Sequence, residues 1–290
     1  MSWFIFAVLS ALFLSASSIT EKRALLRVHS IDLSAALAFV NLIIAAPFLF
    51  FIEWARVSVS ILFLIFGAAL VTAVAFYLIA KAMRHLEISF VAPLLALTPG
   101  STALAGFLVL GEALSRIDVL GIIFMIIGSY ILALEPHHDF LQPIRTFVRS
   151  RYVKFVLISL VLYSLGATLD RAIVFDFEVP IANYMFFVHL FVAVLYLPMI
   201  AVLGIGGEGV RRGFKLETKN IIFISIFTVL YRLFQMYALS LAFVGLVSAI
   251  KRSSSFFTTL IGGELFHEGR LGRKLIASLI IIFGATLIVF

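Results

Sequence analysis

The 290-residue chain contains no cysteine, and only 13% of its residues are charged. Without a thiol there is no disulfide framework, no cysteine-based zinc site and no thiol nucleophile. Soluble domains carry about 25% charged residues, so this charge content excludes a soluble enzyme. It also excludes a disordered chain, which needs high charge and low hydrophobicity. No H-E-x-x-H pattern occurs and no paired acids stand inside an apolar run, which argues against an intramembrane enzyme. No cofactor or metal motif is present. The bulk of the chain is apolar: 63% hydrophobic residues, 31 of them Phe, with a mean hydropathy of +1.18. That composition belongs in a lipid bilayer. In a soluble chain the formal charge of +7 would suggest nucleic acid; here it marks membrane topology, and no nucleic-acid partner is expected.

A spanning helix needs about 20 mostly apolar residues. Apolar runs between charged or turn-rich breaks predict ten spans, at 2–20, 32–52, 59–82, 88–110, 116–135, 153–175, 180–203, 219–242, 245–266 and 271–290. The expected fold is therefore an all-α integral membrane protein with no room for a soluble domain. The longest connections are 136–152 and 204–218. The first run lacks a preceding basic stretch and a small-residue cleavage site, so it reads as a span and not as a signal peptide. Of the 22 Lys and Arg, 16 fall in odd-numbered connections, and Lys22 and Lys274 are among them. Only Arg56, Arg116 and Arg171 fall in even-numbered ones, and Arg232, Lys251 and Arg252 lie inside spans 8 and 9. Positive charge collects on the cytoplasmic face, which puts both chain ends outside.

The sequence repeats itself. Residues 86–134 pair with 242–290, with Glu112 on Glu268 and Gly128 on Gly284, an offset of 156. Earlier in the chain, Glu21 and Lys22 pair with Asp170 and Arg171 at an offset of 149, and the glycine-rich stretch 204–213 absorbs the difference. Each half then holds five spans: 1–135 and 153–290, joined by a basic connection at 136–152. An odd number of spans per half sets the halves in opposite orientations, the inverted-repeat plan of many secondary transporters.

Pro93 and Pro99 in span 4, the Gly111–Glu112 hairpin and the spaced glycines Gly121 and Gly128 of span 5 resemble the end of an EamA domain. The chain as a whole resembles the ten-span, two-EamA form of the drug/metabolite transporter superfamily. That resemblance implies ten helices around a central cavity and alternating access. It also implies a small-molecule substrate, no cofactor, a monomer or weak homodimer, and a place in a prokaryotic inner membrane.

A charge at mid-bilayer costs about 2.5–3.5 kcal/mol on insertion scales and marks a functional candidate. Thr228, Tyr231, Arg232 and Gln235 stand at i, i+3, i+4 and i+7 in span 8, on one helical face. Lys251, Ser254, Ser255 and Thr258 repeat that spacing in span 9, with Arg252 about 100° around the helix from Lys251. A tight turn near 243–245 makes the two spans antiparallel neighbours, and no acid lies mid-helix in either. Glu264 stands only near the far end of span 9, and three cations without an obvious carboxylate partner suggest an external anion, held bidentately by Arg and as a point charge by Lys. The Lys251–Arg252 pair also resembles the phosphate-binding pair of plant-type sugar-phosphate translocators. The competing structural reading has Arg232 or Lys251 snorkel, or pair with Asp170 or Glu21 from another helix. For those acids themselves, ion pairs at the interface with Lys22 and Arg171 are expected.

The candidate substrate-binding residues are thus Thr228, Tyr231, Arg232, Gln235, Lys251, Arg252, Ser254 and Ser255. His189 reads as a hydrogen-bonded buried histidine, and Asn183 and Tyr184 as cavity-mouth or capping residues. The expected function is secondary transport or export of a small organic or phosphorylated anion. The alternatives are export of an amino acid or neutral metabolite, and flipping of a lipid-linked phosphate. An epitope tag at either end is expected to be reached from outside intact cells; a tag reached only from the cytoplasm overturns the assigned orientation.

Overall fold

The computed structural model describes residues 2–98, 100–101, 115–133, 149–203, 207–242 and 244–287. Every regular element among them is helical: α1 (Ser2–Leu25), α2 (Ser30–Ala45), α3 (Val59–His85), α4 (Ile88–Leu95), α5 (Arg116–Ala133), α6 (Arg151–Arg171), α7 (Ile181–Leu203), α8 (Gly207–Leu239), α9 (Val244–Arg252) and α10 (Leu271–Leu287). Beyond α9 the same segment continues as Ser254–Phe257, a π-helical turn Thr258–Gly262 and a last turn Gly263–Leu265. Among the described residues six helical stretches are long and apolar enough to cross a membrane: Trp3–Leu25, Ser30–Phe51, Val59–His85, Arg151–Asp176, Ile181–Leu203 and Gly207–Leu239. The protein is an all-α membrane protein.

The boundaries differ from the sequence expectation where local chemistry extends or breaks a helix. The first span continues to Leu25, because Glu, Lys, Arg, Ala and Leu are strong helix formers. Glu21 and Lys22 are therefore carried inside, at 5% and 7% exposure. Lys22, an expected marker of a cytoplasmic loop, donates from Nζ to the carbonyls of Met83 (2.6 Å) and Leu86 (2.7 Å). Those are orphan acceptors at the end of α3. Lys274, another expected loop cation, is also buried and bonds Glu87 and Ser89. After α2 the chain passes into a 3-10 turn at Ala46–Phe51, where Pro47 has no N–H to continue the α-helical ladder. The expected loop 204–218 is helical from Gly207, with a break only at Glu217 (φ −133°, ψ 28°). Pro99, the Gly111–Glu112 hairpin, Gly106 and most of the 136–152 connection lie outside the described residues.

Helix α4 begins at Glu87, whose own side chain caps nothing. The missing cap comes from the turn between the ninth segment and α10: Glu268 accepts from the backbone N–H of Ile88 (2.8 Å) and Ser89 (2.9 Å) and from the Ser89 hydroxyl. A carboxylate there satisfies orphan donors and complements the helix dipole.

The helices pack in related pairs. α1 lies on α8 and α6 on α3; α2 lies on α8 and α7 on α3; α1 meets α9 and α6 meets α4; α2 meets α7 and α5 meets α10. Shifting every helix number by five exchanges the members of the first three couples and returns α2–α7 and α5–α10 to themselves. The hydrogen bonds follow the same arithmetic. Lys22 binds the carbonyls of Met83 and Leu86, and Arg171 binds those of Leu239 and Ala242. The donors are 149 apart and the acceptors 156 apart. Ser10 Oγ donates to the Tyr231 carbonyl (2.9 Å) and Ser159 Oγ to that of Ala75 (3.1 Å), at the same two offsets.

The α5–α10 contact depends on glycine. A Cβ at Gly128 would lie 2.6 Å from Ile281 Cγ1 and 3.0 Å from the Ala277 carbonyl oxygen. At Gly284 it would lie 2.5 Å from the Gly121 carbonyl oxygen and 2.9 Å from Met125 N. Backbone on both sides leaves no flexible atom to yield, so the small residues set the approach of the two helices. Gly284→Ala is expected to destabilise by about 1–3 kcal/mol through overpacking. Gly67→Ala, which meets nothing within 4 Å, is expected to be neutral or to stabilise by up to about 1 kcal/mol. Thermal unfolding of the purified variants checks the contrast.

Candidate functional site

A cavity of ≈ 120 Å³ lies between α1, α3 and α4 on one side and α6, α8 and the ninth segment on the other. Thr228, Tyr231, Arg232 and Gln235 reach it from one face of α8, as their helical spacing requires. Lys251 and Arg252 reach it from the end of α9, and Ser254, Ser255 and Thr258 from the turns that follow. All eight candidate residues therefore border a single space. Lys251 and Arg252 border it together although they are adjacent, and the helix is interrupted directly after them at Ser253. Small hydroxyls stitch the walls: Ser17 to Thr228 (3.0 Å), Thr258 to Ser15 (2.9 Å) and Ser255 to Ser278 (3.1 Å). Such interhelical bonds contribute about 0.6 kcal/mol each inside a membrane protein.

The three cations have different surroundings. Arg232 is 9% exposed. Its Nη2 donates to Tyr184 OH (2.7 Å) and lies 3.7 Å from Asp170 Oδ2. The Tyr184 hydroxyl in turn donates to Asp170 Oδ1. Helices α6, α7 and α8 meet in this one buried chain. Lys251 donates to Gln235 Oε1, one helical face away on α8, and stands 5.0 Å from the Tyr231 ring centroid. Arg252 makes no hydrogen bond and has no carboxylate within 4 Å among the described residues, and its Nε is buried without a partner.

The acids required a correction. Glu21 and Asp170 do not form interfacial ion pairs with their neighbours Lys22 and Arg171. Both are buried, both border the cavity, and Asp170 belongs to Arg232. Glu21 has no hydrogen bond or ion pair among the described residues, and its Oε1 is buried. Two acids on different helices therefore border the cavity. Inspection of single helices missed them because they lie on α1 and α6, far from the cations in sequence. The signal available was the repeat itself, which aligns Glu21 with Asp170. Tyr163 of α6 is a further lining residue that the sequence did not single out. Asn183 lies away from the cavity and exchanges two hydrogen bonds with the backbone of Glu53 (3.0 and 3.1 Å), fixing the connection between α2 and α3.

Residues 1–134 match the model of the EamA-like transporter family. A solved crystal structure superposes with a TM-score of 0.64 at 15% identity, covering 99% of this chain and 96% of the other. That likeness concerns the fold alone. No curated protein matches the chain in sequence.

Removing one partner of a buried ion pair leaves the other uncompensated and costs about 3–5 kcal/mol. Asp170→Asn is therefore expected to lower thermal stability strongly. Adding Arg232→Gln to it is expected to restore part of the loss, because no charge is then stranded. A double variant no more stable than Asp170→Asn would show that the two groups are not coupled.

Proposed function

Residues 1–134 belong to the EamA-like transporter family, and from that membership we propose that this drug/metabolite-type membrane transporter carries a small organic or phosphorylated anion by alternating access. One observation carries the reading. Lys251 and Arg252 border the cavity with no carboxylate within 4 Å among the described residues, while Asp170 is already engaged by Arg232. Cations held in a low-dielectric interior are costly without a counter-charge. A cargo anion supplies that charge: the Arg252 guanidinium binds phosphate or carboxylate through two donors, and the Lys251 ammonium acts as a point charge.

The cavity's position supports the transport mechanism. Three helices from each side of the chain form its walls, and the packing pairs exchange under a shift of five. Two units, 1–135 and 153–290, rocking about a site held between them would open it to each face in turn. In this reading the transporter works in a prokaryotic inner membrane as a monomer or weak homodimer, with no resident cofactor. Glu21 favours a second cargo class. An unpaired carboxylate on the same cavity as two unpaired cations suits a zwitterion, so export of an amino acid is the alternative.

Thermal-shift titration of the purified protein against phosphates, carboxylates and amino acids, followed by liposome flux on the hits, tests the proposal. Anions are expected to stabilise the protein. A charge-assisted hydrogen bond is worth about 1.5–3 kcal/mol, so Lys251→Gln and Arg252→Gln should each weaken binding by about 10–100-fold and reduce flux while leaving the protein folded. Full flux in both variants, or stabilisation by neutral and cationic compounds alone, overturns the anion reading. Stabilisation by amino acids that is lost in Glu21→Gln selects the zwitterion.

A further inference from the structure

Behind Arg232 lies a second, smaller cavity of ≈ 40 Å³, bounded by α2, α3, α7 and α8. The two cavities share a wall: Thr72, Phe76, Thr228, Tyr231 and Arg232 border both. Among the residues lining the smaller one, Ser34 Oγ, Asn41 Oδ1 and His189 Nε2 are buried without a hydrogen-bond partner, and so is Arg232 Nε on the shared wall. These four residues are 0%, 8%, 4% and 9% exposed. Unsatisfied polar atoms this deep cost about 1–3 kcal/mol each, and four bordering one space point to a ligand that satisfies them.

The donor and acceptor pattern narrows that ligand. His189 Nδ1 lies 2.7 Å from the Met185 carbonyl oxygen. A carbonyl only accepts, so the proton is assigned to Nδ1 and Nε2 is a bare acceptor. Asn41 Oδ1 is a second acceptor, and Arg232 Nε–H is a donor. A carboxylate or phosphate oxygen has no proton to give the two acceptors. An ammonium would meet the Arg232 charge. A hydroxyl accepts from Arg232 and donates to His189 or Asn41, a second hydroxyl serves the other acceptor, and Ser34 Oγ can give a bond to either or take one. One water-sized group needs about 10–15 Å³ measured in this way, so the ≈ 40 Å³ space admits about three or four hydroxyl-sized groups.

We infer that the transported anion is hydroxylated, and that Asn41, His189 and Arg232 form the subsite that reads its hydroxyl while the anionic head rests at Lys251 and Arg252. This rests on the anionic reading of the main cavity and adds a specificity that reading lacks. Phe76 and Thr72, on the shared wall, lie between head and tail. Sites built to hydrogen-bond a substrate hydroxyl reject the analogue without it, because their own buried groups are then left unpaired.

Two matched pairs test the subsite on the full-length protein: glycerol 3-phosphate against propyl phosphate, and glycerate against propionate, each titrated by thermal shift. The hydroxylated member of at least one pair is expected to bind about tenfold or more tightly than its deoxy partner, the worth of one well-placed bond to a charged or buried group. Asn41→Leu and His189→Leu should abolish that preference and bind the deoxy anion at least as tightly as the wild type, since the groups it leaves unpaired are gone. His189→Gln, which retains an acceptor at the ring position, should keep much of it. If both members of a pair bind the wild type alike, the smaller cavity holds water alone and the subsite is overturned, with the anion reading intact. If no anion of either pair binds, the anion reading falls and the subsite falls with it. The wild-type ratio decides the question even where a variant does not fold.

Discussion

Arg232 is accommodated inside a membrane protein because Tyr184 and Asp170 meet it there. A guanidinium at that depth has no water to solvate it, so the fold must provide an acceptor and a negative charge at bonding distance. The provision draws on three helices, since Asp170 comes from α6, Tyr184 from α7 and Arg232 from α8. Once those helices are pinned, the face of α8 that carries Thr228, Tyr231 and Gln235 must look into the space between them. Lys251 then reaches Gln235, and Arg252 is left without a carboxylate of its own. One paired cation thus fixes the geometry in which the others have no carboxylate within 4 Å among the described residues.

The scaffold around that site is symmetric and the site is not. Lys22 and Arg171 close the ends of α3 and α8 by the same bonds, Ser10 and Ser159 cross between helices by the same bonds, and Gly128 and Gly284 admit each other's helix at matching positions. Yet 156 positions before Arg232, Lys251 and Arg252 stand Phe76, Leu95 and Ala96. Backbone groups at helix ends must be satisfied in both halves, so their partners recur. In the proposed reading a cargo needs its charges matched once, which accounts for Arg232, Lys251 and Arg252 having no counterparts in the other half. Glu21 and Asp170 lie between these cases: equivalent in position, both facing the cavity, but only one of them paired.

Bilayer physics made most of the architecture readable in advance. Long apolar runs, the charge bias of the connections and the repeat all act through local composition, and the helices follow them. The differences arise where a helix end depends on a distant partner. Lys22 and Lys274 look like interfacial cations, since their neighbours in sequence are charged. They are buried because orphan carbonyls at the end of α3, and Glu87 with Ser89 at the start of α4, are brought to them by packing.

The sequence by itself determined the helices, the repeat and the one-sided array of Thr228, Tyr231, Arg232, Gln235, Lys251, Arg252, Ser254 and Ser255, because helical periodicity places residues on a face with no knowledge of what that face meets. The tertiary structure alone decided what those residues do to one another. It gave Arg232 a carboxylate 62 positions away in the chain, left Arg252 and Glu21 without an ion pair among the described residues on the same cavity, and set His189 and Asn41 facing a second space behind Arg232. Whether a buried charge is neutralised depends on distances of 3 to 4 Å between helices, and no spacing along a single helix carries that information.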